Sequence, residues 1–296
     1  VETKYPVYVP SKGRFENCYT AKFLLADQTP FWLVVEPSEY EEYASRFPKD
    51  IIIVTPKDNM TLLGVRNWIH DRSKAAGDKR HWQLDDNIMR TRRLFKGKRI
   101  PCNSAIALRM CEEFTDRYTN IGLSGLNYTM FALNTTPVPY FLNVHVYSCS
   151  LINNEMPYRH RLIYNDDTDL CLQILAGGHC TVLFNAFMVD KIRTMVVKGG
   201  NTTALYQGDG RLKMARSLER VWPGVVTTDR RFQRPQHVVK DSWKHFDTQL
   251  IRRTDIDWSA LENTTNEFGM QLVVVNPELK SEELKKLVDQ QQIIRE

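Results

Sequence analysis

WQLDDN, residues 82–87, sets a short apolar stub directly against Asp85, Asp86 and Asn87. An acidic strand end or helix cap is one reading, and any protein can carry one. The other is a pair of carboxylates set beyond a strand end to meet a metal-bound phosphate. Hard divalent cations take oxygen ligands, and a cation beside a diphosphate neutralises its charge and assists its departure. The surrounding chain has to supply the fold in which either reading makes sense.

Upstream, the pattern alternates between extended and helical. YPVYVP (5–10) reads as a strand, followed by the polar turn Ser11-Lys12-Gly13-Arg14 and helical spacing from Phe15 to Leu25. Pro30–Val35 is a second strand. Pro37 opens a helix backed by Tyr40, Tyr43 and Phe47. Ile51–Thr55 is an almost purely apolar third strand, of the kind buried on both faces of a parallel sheet. Met60–Ala76 is helical, and His81–Leu84 enters a fourth strand that ends at Asp85. This rhythm argues for an open α/β sheet with right-handed crossovers. Ligands in such sheets bind beyond the carboxyl ends of the strands, where Asp85 and Asp86 then lie.

Downstream the chain turns basic. IMRTRRLFKGKR (88–99) holds Arg90, Arg92, Arg93, Lys96, Lys98 and Arg99 and no acid. Pro101–Phe114 reads as a helix, and Ile121–Gly125, Phe141–Cys149 and Leu183–Val189 as strands. YNDDTD (164–169) is a second acidic cluster running into a helix at Leu170–Leu175. One acid there serves as a cap; Asp166, Asp167 and Asp169 together exceed that need, and one of these carboxylates can take a proton from an attacking hydroxyl. Arg66 and Asn67 precede the strand that leads to Asp85 and can face its polar end. Past Gly199-Gly200 the chain is less regular. RRFQR (230–234) sets Arg230, Arg231 and Arg234 around Phe232, Leu272–Val275 reads as a strand, and Pro277–Val288 as a surface helix.

Composition bounds the rest. With 296 residues and 42% hydrophobic content, the chain can bury a substantial core, and its formal charge of +5 suits an anionic partner without requiring one. The six cysteines include no CxxC pair, which argues for reduced core thiols rather than a zinc cluster. No HExxH is present; among the histidines His237, then His179, is the candidate to complete a metal shell opposite the carboxylates. No P-loop, no GxGxxG after the first strand and no GxSxG occurs, which argues against a P-loop ATPase and a dinucleotide oxidoreductase and gives nucleophile-elbow hydrolysis no support. Without a signal peptide or an eighteen-residue apolar run, the expectation is a soluble cytoplasmic protein with no membrane partner.

YVPSKGR (8–14), GVRNWIHD (64–71), WQLDDN (82–87) and YNDDTDLCLQIL (164–175) together resemble a GT-A glycosyltransferase, and more narrowly the TET-associated glycosyltransferases. That family is encoded largely by bacteriophages and acts on hydroxymethylated pyrimidines in DNA. The resemblance implies a GT-A-like, Rossmann-like open mixed sheet flanked by helices in residues 1–245, with an irregular α/β C-terminal extension over 246–296. It implies that Pro10, Ser11, Gly13, Arg14, Arg66, Asn67 and Asp85 contact a UDP-sugar. Asp86 would bind Mn²⁺ or Mg²⁺, with Asn87 where a DxD motif has its second Asp. Asp167 would be the general base if the reaction inverts. Cys149 and Asn153–Glu155 would lie on the acceptor side, and Lys198–Asn201 near acceptor or donor phosphates. The acceptor it implies is 5-hydroxymethylcytosine or a related base in DNA. Arg90, Arg92, Arg93, Lys96, Lys98, Arg99, Arg230, Arg231 and Arg234 would then track phosphates, with Phe232 able to stack or wedge. A phage-encoded enzyme would work in the host cytoplasm. A GT-A transferase acting on a glycan or small molecule, an inactive nucleic-acid-binding GT-A module, and a nucleotidyltransferase remain as alternatives. The sugar, the stereochemistry and the oligomeric state stay open.

Overall fold

Four short parallel strands carry the first part of the chain: β1 (Val7–Pro10), β2 (Trp32–Val35), β3 (Ile52–Val54) and β4 (Arg80–Leu84). They are seen in a computed structural model that describes residues 1–95, 97–132, 138–192, 210–231, 234–240, 243–262 and 264–266. Further along come β5 (Ile88–Phe95), β6 (Lys98–Cys102), β7 (Ile121–Tyr128), β8 (Tyr140–Leu142), β9 (Cys149–Asn153) and β10 (Cys180–Lys191). Among the described residues these form one mixed sheet in the order β3-β2-β1-β4-β9-β7-β10-β5-β6, with β8 paired to β10. From β1 the chain runs outward to β2 and β3, then returns to place β4 on the other side of β1. That reversal makes a switch point between β1 and β4, where α/β sheets open a ligand crevice.

The alternation of side chains explains why helices cover both faces. Val7, Val9, Leu33, Val35, Trp82 and Leu84 point to one face and pack with Ala21 and Leu24 of α1 (Tyr19–Ala26), Tyr43 of α2 (Tyr40–Ala44) and Leu108 and Cys111 of α4 (Ser104–Thr115). Tyr8, Val34 and Ile53 point the other way, onto Val65 and Ile69 of α3 (Leu62–Ala75). Leu123, Ile152 and Leu183 continue that second face beneath Leu170, Cys171 and Ile174 of α5 (Asp166–Ala176). Thr61 caps α3 by accepting from the Gly64 amide at 3.2 Å, and Asn103 caps α4 through the Ala105 and Ile106 amides. The fold is thus the GT-A-like open mixed sheet flanked by helices that the motifs imply.

Three local readings differ. The helix read from Pro101 begins only at Ser104, because Pro101 and Cys102 belong to β6, which pairs antiparallel with β5 on the sheet edge. Phe141–Cys149 is not one strand: Asn143 and Ser148 have φ of 56° and 53°, and the chain between β8 and β9 turns at these left-handed positions. The region after Gly200 contains regular structure, with α6 (Gly210–Val221) and the antiparallel ribbon β11 (Val226–Arg231) and β12 (Arg234–Val239). Leu218, Val226 and Val239 of this unit close over Leu172 of α5. The segment that follows lies along the main sheet's lower edge, where Asn143 Nδ2 donates to the Phe246 and Thr248 carbonyls and Asn120 Nδ2 to that of Gln249. It ends in the short α7 (Trp258–Leu261), whose Trp258 ring meets Tyr118. The strand and helix read from Leu272 to Val288, and the loop Lys198–Asn201, lie outside the described residues. All six cysteines are free, five of them buried. Among the described residues no helix is long and apolar enough to cross a membrane.

Candidate active site

The carboxyl ends of β1, β4, β7 and β10 point the same way, and the antiparallel β9 begins at that edge. Pro10, Leu84, Tyr128, Lys191 and Ser148 therefore converge there. Asp85 and Asp86 leave β4 at its centre. The pair divides. Asp86 is buried and turned toward the first loop: Ser11 Oγ donates to its Oδ2 at 2.7 Å and Arg14 to its Oδ1 at 2.5 Å. Gly13, at φ 63°, makes the turn that returns Arg14 to Asp86, and its amide donates to the Glu39 carboxylate. Tyr43 OH braces the loop from below, 2.7 Å from Ser11 Oγ and accepting from the Arg14 amide. Burial pushes the Asp86 carboxyl up, against the opposing pull of Arg14 and Ser11.

Asp85 is more open, its side chain 26% exposed. Arg66 donates to Oδ1 at 2.9 Å, and Lys191 Nζ and Ser148 Oγ donate to Oδ2 at 2.7 and 2.8 Å. Burial alone would raise its carboxyl; Lys191 and Arg66 outweigh burial and hold it down at about 2. The other arm of Arg66 donates to Asp166 Oδ2 at 2.6 Å, so one guanidinium joins the two acidic clusters that the sequence separates by eighty positions. Burial disfavours the Arg66 charge, yet Asp166, Asp85 and Asp167 keep it firmly cationic.

The second cluster also divides. Its acids fill the first turn of α5, where the helix dipole favours negative charge. Asp169 is structural: it is buried and takes bonds from Arg161, Gln173 and the Trp222 indole. Asp166 is held by Arg66 and lies 3.1 Å from His160 Nδ1. Asp167 Oδ2 lies 3.2 Å from His145 Nε2, and Oδ1 accepts from the Thr168 amide. Burial raises this carboxyl, but His145 and Arg66 more than reverse that and hold it well below the usual range. His145 is itself stacked on Trp243.

Other sequence candidates sit elsewhere or do other work. Asn67 clamps the backbone of His160, donating to its carbonyl at 2.7 Å and accepting from its amide. His237, on β12, feels the charges of His145 and Asp167. His179 precedes β10, at the opposite sheet edge from Asp85, as do Asn153–Glu155 at the far end of β9. Cys149 is a buried core residue. On the edge hairpin, Arg90 and Arg92 share Asp190, Arg93 lies over the Phe95 ring, Lys98 is exposed, and Arg99 donates to the Thr129 carbonyl at 2.6 Å. Arg230 and Arg234 are exposed on the ribbon, which also carries Arg231. Lys96 and Phe232 lie outside the described residues. Sequence reading missed Lys191, Tyr128, Ser148 and His145. For Lys191, the apolar pattern of its strand ends at Val189, and the strand runs two residues further.

Residues 5–200 match the sequence profile of the TET-Associated Glycosyltransferase family. The chain belongs to that family. It is therefore a glycosyltransferase, and the two acidic clusters joined by Arg66 lie within the matched TET-associated glycosyltransferase region. Among curated proteins none matches the chain. Solved structures similar to this TET-associated glycosyltransferase include mannose-1-phosphate geranyltransferase from Thermus thermophilus, at 11% identity and TM-score 0.28, covering 63% of this chain. The chain spans 58% of that protein's length. Mannose-6-phosphate isomerase from Helicobacter pylori is 8% identical, with TM-score 0.28 over 85% of this chain and 94% of its own. At these scores neither likeness bears on the chemistry.

Among the described residues no three His, Cys, Asp or Glu side chains are grouped to cage a metal ion. A cation that arrives with a diphosphate needs less, since phosphate oxygens supply part of its shell and one or two carboxylates the rest. Asp85 is the more accessible carboxylate, and Asn87 Oδ1 is a buried oxygen without a partner. Both carboxylates have both oxygens engaged, Asp86 by Ser11 and Arg14 and Asp85 by Arg66, Lys191 and Ser148, so a cation entering at Asp85 would share it with or displace one of these donors. The donor set fits a hard divalent ion held jointly with a substrate phosphate.

Proposed function

We propose that this glycosyltransferase moves a sugar from a UDP-sugar to the hydroxyl of 5-hydroxymethylcytosine, or a related hydroxymethylpyrimidine, in DNA. The observation that carries the reading is Arg66 bridging Asp85 and Asp166, 2.9 and 2.6 Å away, at the carboxyl edge of the parallel strands. It sets a cation between the carboxylate beside the donor crevice and the turn that bears Asp167.

On this reading Ser11, Gly13 and Arg14 line the nucleotide side, fixed by Asp86. Arg66 and Lys191 face the diphosphate. Three carboxylates, Asp85, Asp86 and Asp166, are already met by Arg14, Arg66 and Lys191. A diphosphate entering this balanced site brings surplus negative charge, which supports the Mn²⁺ or Mg²⁺ that the family resemblance implies. Asp85 and Asn87 would hold that ion, and its charge would ease departure of the diphosphate. The acceptor oxygen bonds to the anomeric carbon as the bond from that carbon to the phosphate oxygen breaks, the electron pair leaving on the nucleoside diphosphate. In an inverting reaction the hydroxyl proton passes to Asp167, which the low pKa keeps ionised. Such a carboxylate is a weak base and acts by close contact as the hydroxyl becomes acidic in the transition state. The transferase domain would be residues 1–245, with 246–296 as its extension.

The test combines the purified protein, 5-hydroxymethylcytosine DNA, Mn²⁺ and a panel of UDP-sugars, followed by digestion and nucleoside mass spectrometry. A pentose or hexose increment that disappears in Asp85→Asn and Asp167→Asn is the expected result. Transfer to a saccharide but never to DNA would overturn the acceptor, and no transfer to either would leave a DNA-binding module.

A further inference from the structure

Just beyond β7, Met130 and Phe131 project from the same sheet edge as the acidic site. The two residues are 51% and 57% exposed, an adjacent pair of large apolar groups left in water. The tip that carries them is held. The Phe131 and Ala132 amides both donate to the Tyr128 carbonyl, at 2.9 and 3.0 Å, and Arg99 of the edge hairpin donates to the Thr129 carbonyl. Arg99 thereby fastens the tip to a hairpin that has no acid between Ile88 and Cys102. Inward, the Phe131 ring lies 5.8 Å from that of Tyr128, whose hydroxyl is 3.2 Å from Lys191 Nζ and hence beside Asp85. A fixed apolar tip thus stands between a basic strand pair and the reacting centre.

We propose that Met130 and Phe131 are a wedge that enters the base stack of duplex DNA where the modified nucleotide leaves it, while the β5–β6 hairpin holds flanking phosphates. The inference rests on the DNA-acceptor reading and deepens it. A hydroxymethyl group on a stacked base cannot reach an atom inside a protein crevice, so the nucleotide must be extruded. Apolar side chains inserted at a base step are the established physical means of filling the gap and offsetting lost stacking. The charge beside the tip selects a polyanion as the occupant, rather than an apolar protein surface.

The experiment compares transfer to the same modified sequence as duplex and as single strand, for the wild type and the Met130→Ala/Phe131→Ala double variant. A single strand has no stack to open. The double variant should therefore lose about tenfold more in kcat/KM on duplex than on single strand, and Phe131→Leu, which keeps an apolar tip, should recover most of the difference. Equal losses on both would mean a merely structural role and would overturn the wedge. 2-Aminopurine placed next to the modified base supplies a readout free of sugar transfer. Its fluorescence should rise when the wild type binds duplex, and not with the double variant. That dependence on the tip sustains the wedge even if no sugar reaches DNA, in which case the acceptor reading fails alone; binding with no rise overturns the wedge.

Discussion

Lys191 Nζ lies 2.7 Å from Asp85 Oδ2 and 10% of its side chain is exposed, so the ammonium is a fixed charge at the mouth of the crevice. Asp85 and the Tyr128 and Ser148 hydroxyls surround it, and the carboxylate keeps the lysine protonated in spite of burial. A cation held this way costs nothing to reorganise as charge builds on a leaving phosphate. Lys191→Met should lower kcat by about a hundredfold, the usual loss for one preorganised electrostatic group. Steady-state transfer at saturating donor checks it. A fall of no more than about twofold would show that the lysine merely neutralises Asp85.

Arg66 makes two bonds in two directions, which a planar guanidinium can do and a single ammonium at that distance cannot. Arg66→Lys should keep one carboxylate paired and release the other. The donor KM should rise about tenfold or more, with Asp85→Asn/Arg66→Lys losing less than the two single losses combined, because the residues act as one unit. Isothermal titration with UDP and Mn²⁺ reads the donor side alone. Strict additivity would separate Arg66 from Asp85 functionally.

The parallel half of the sheet is plain in the sequence because its signals are local. Ile52–Val54 has no polar residue to expose, and Trp82–Leu84 ends in charge. The antiparallel insertions are not local. Ile88–Phe95 follows β4 in the chain yet pairs with β10, and nothing within the basic run announces a partner a hundred residues away. Continuous hydrophobicity across Phe141–Cys149 hides turns at Asn143 and Ser148, since a left-handed φ leaves no apolar signature. At the site, Asp85, Asp86 and the Asp166–Asp167 pair were legible as clustered charge. Lys191 was not, because a lone lysine becomes notable only once the strand is extended to bring it to the Asp85 edge. Asp169 looked like a site residue and is a structural anchor, a distinction that depends on where Arg161 and Trp222 fold.

His145 should set the acid limb of activity. Asp167 stays ionised because His145, and after it Arg66, outweigh burial. For the wild type, kcat/KM should show no loss from Asp167 protonation down to about pH 4, the ordinary carboxylate range. His145→Gln keeps a polar neighbour but removes the imidazole that faces Asp167 at 3.2 Å. Without that partner burial regains ground and the carboxyl rises, so the variant should begin to lose kcat/KM above about pH 4, where the wild type does not. A pH–rate profile on a donor-saturated enzyme measures the shift. An unmoved limb would mean that another group takes the proton.

His70 and His81 make a pH prediction for the fold itself. Their rings sit 5.4 Å apart, both buried. Burial above all holds His70 at about 4 and His81 at about 3, against 6.5 in the unfolded chain. With folded values below unfolded ones, denatured chains bind protons that the native state refuses. The stabilisation is full above pH 6.5 and is lost as pH falls toward 4. Glu112, buried beneath the Trp82 indole and pushed up by burial to about 7, works in the opposite sense: its contribution is full below 4.5 and lost as pH rises through 7. The two trends overlap, so the histidine share has to be read from a variant. His70→Gln can still donate to the Asn154 carbonyl that His70 meets at 3.4 Å. Urea unfolding at about pH 7.5 and about pH 5 should show that the variant loses roughly 2 kcal/mol less than the wild type on acidification. Equal losses would mean that His70 takes up its proton in the folded protein, which would require the His70–His81 contact to open to water.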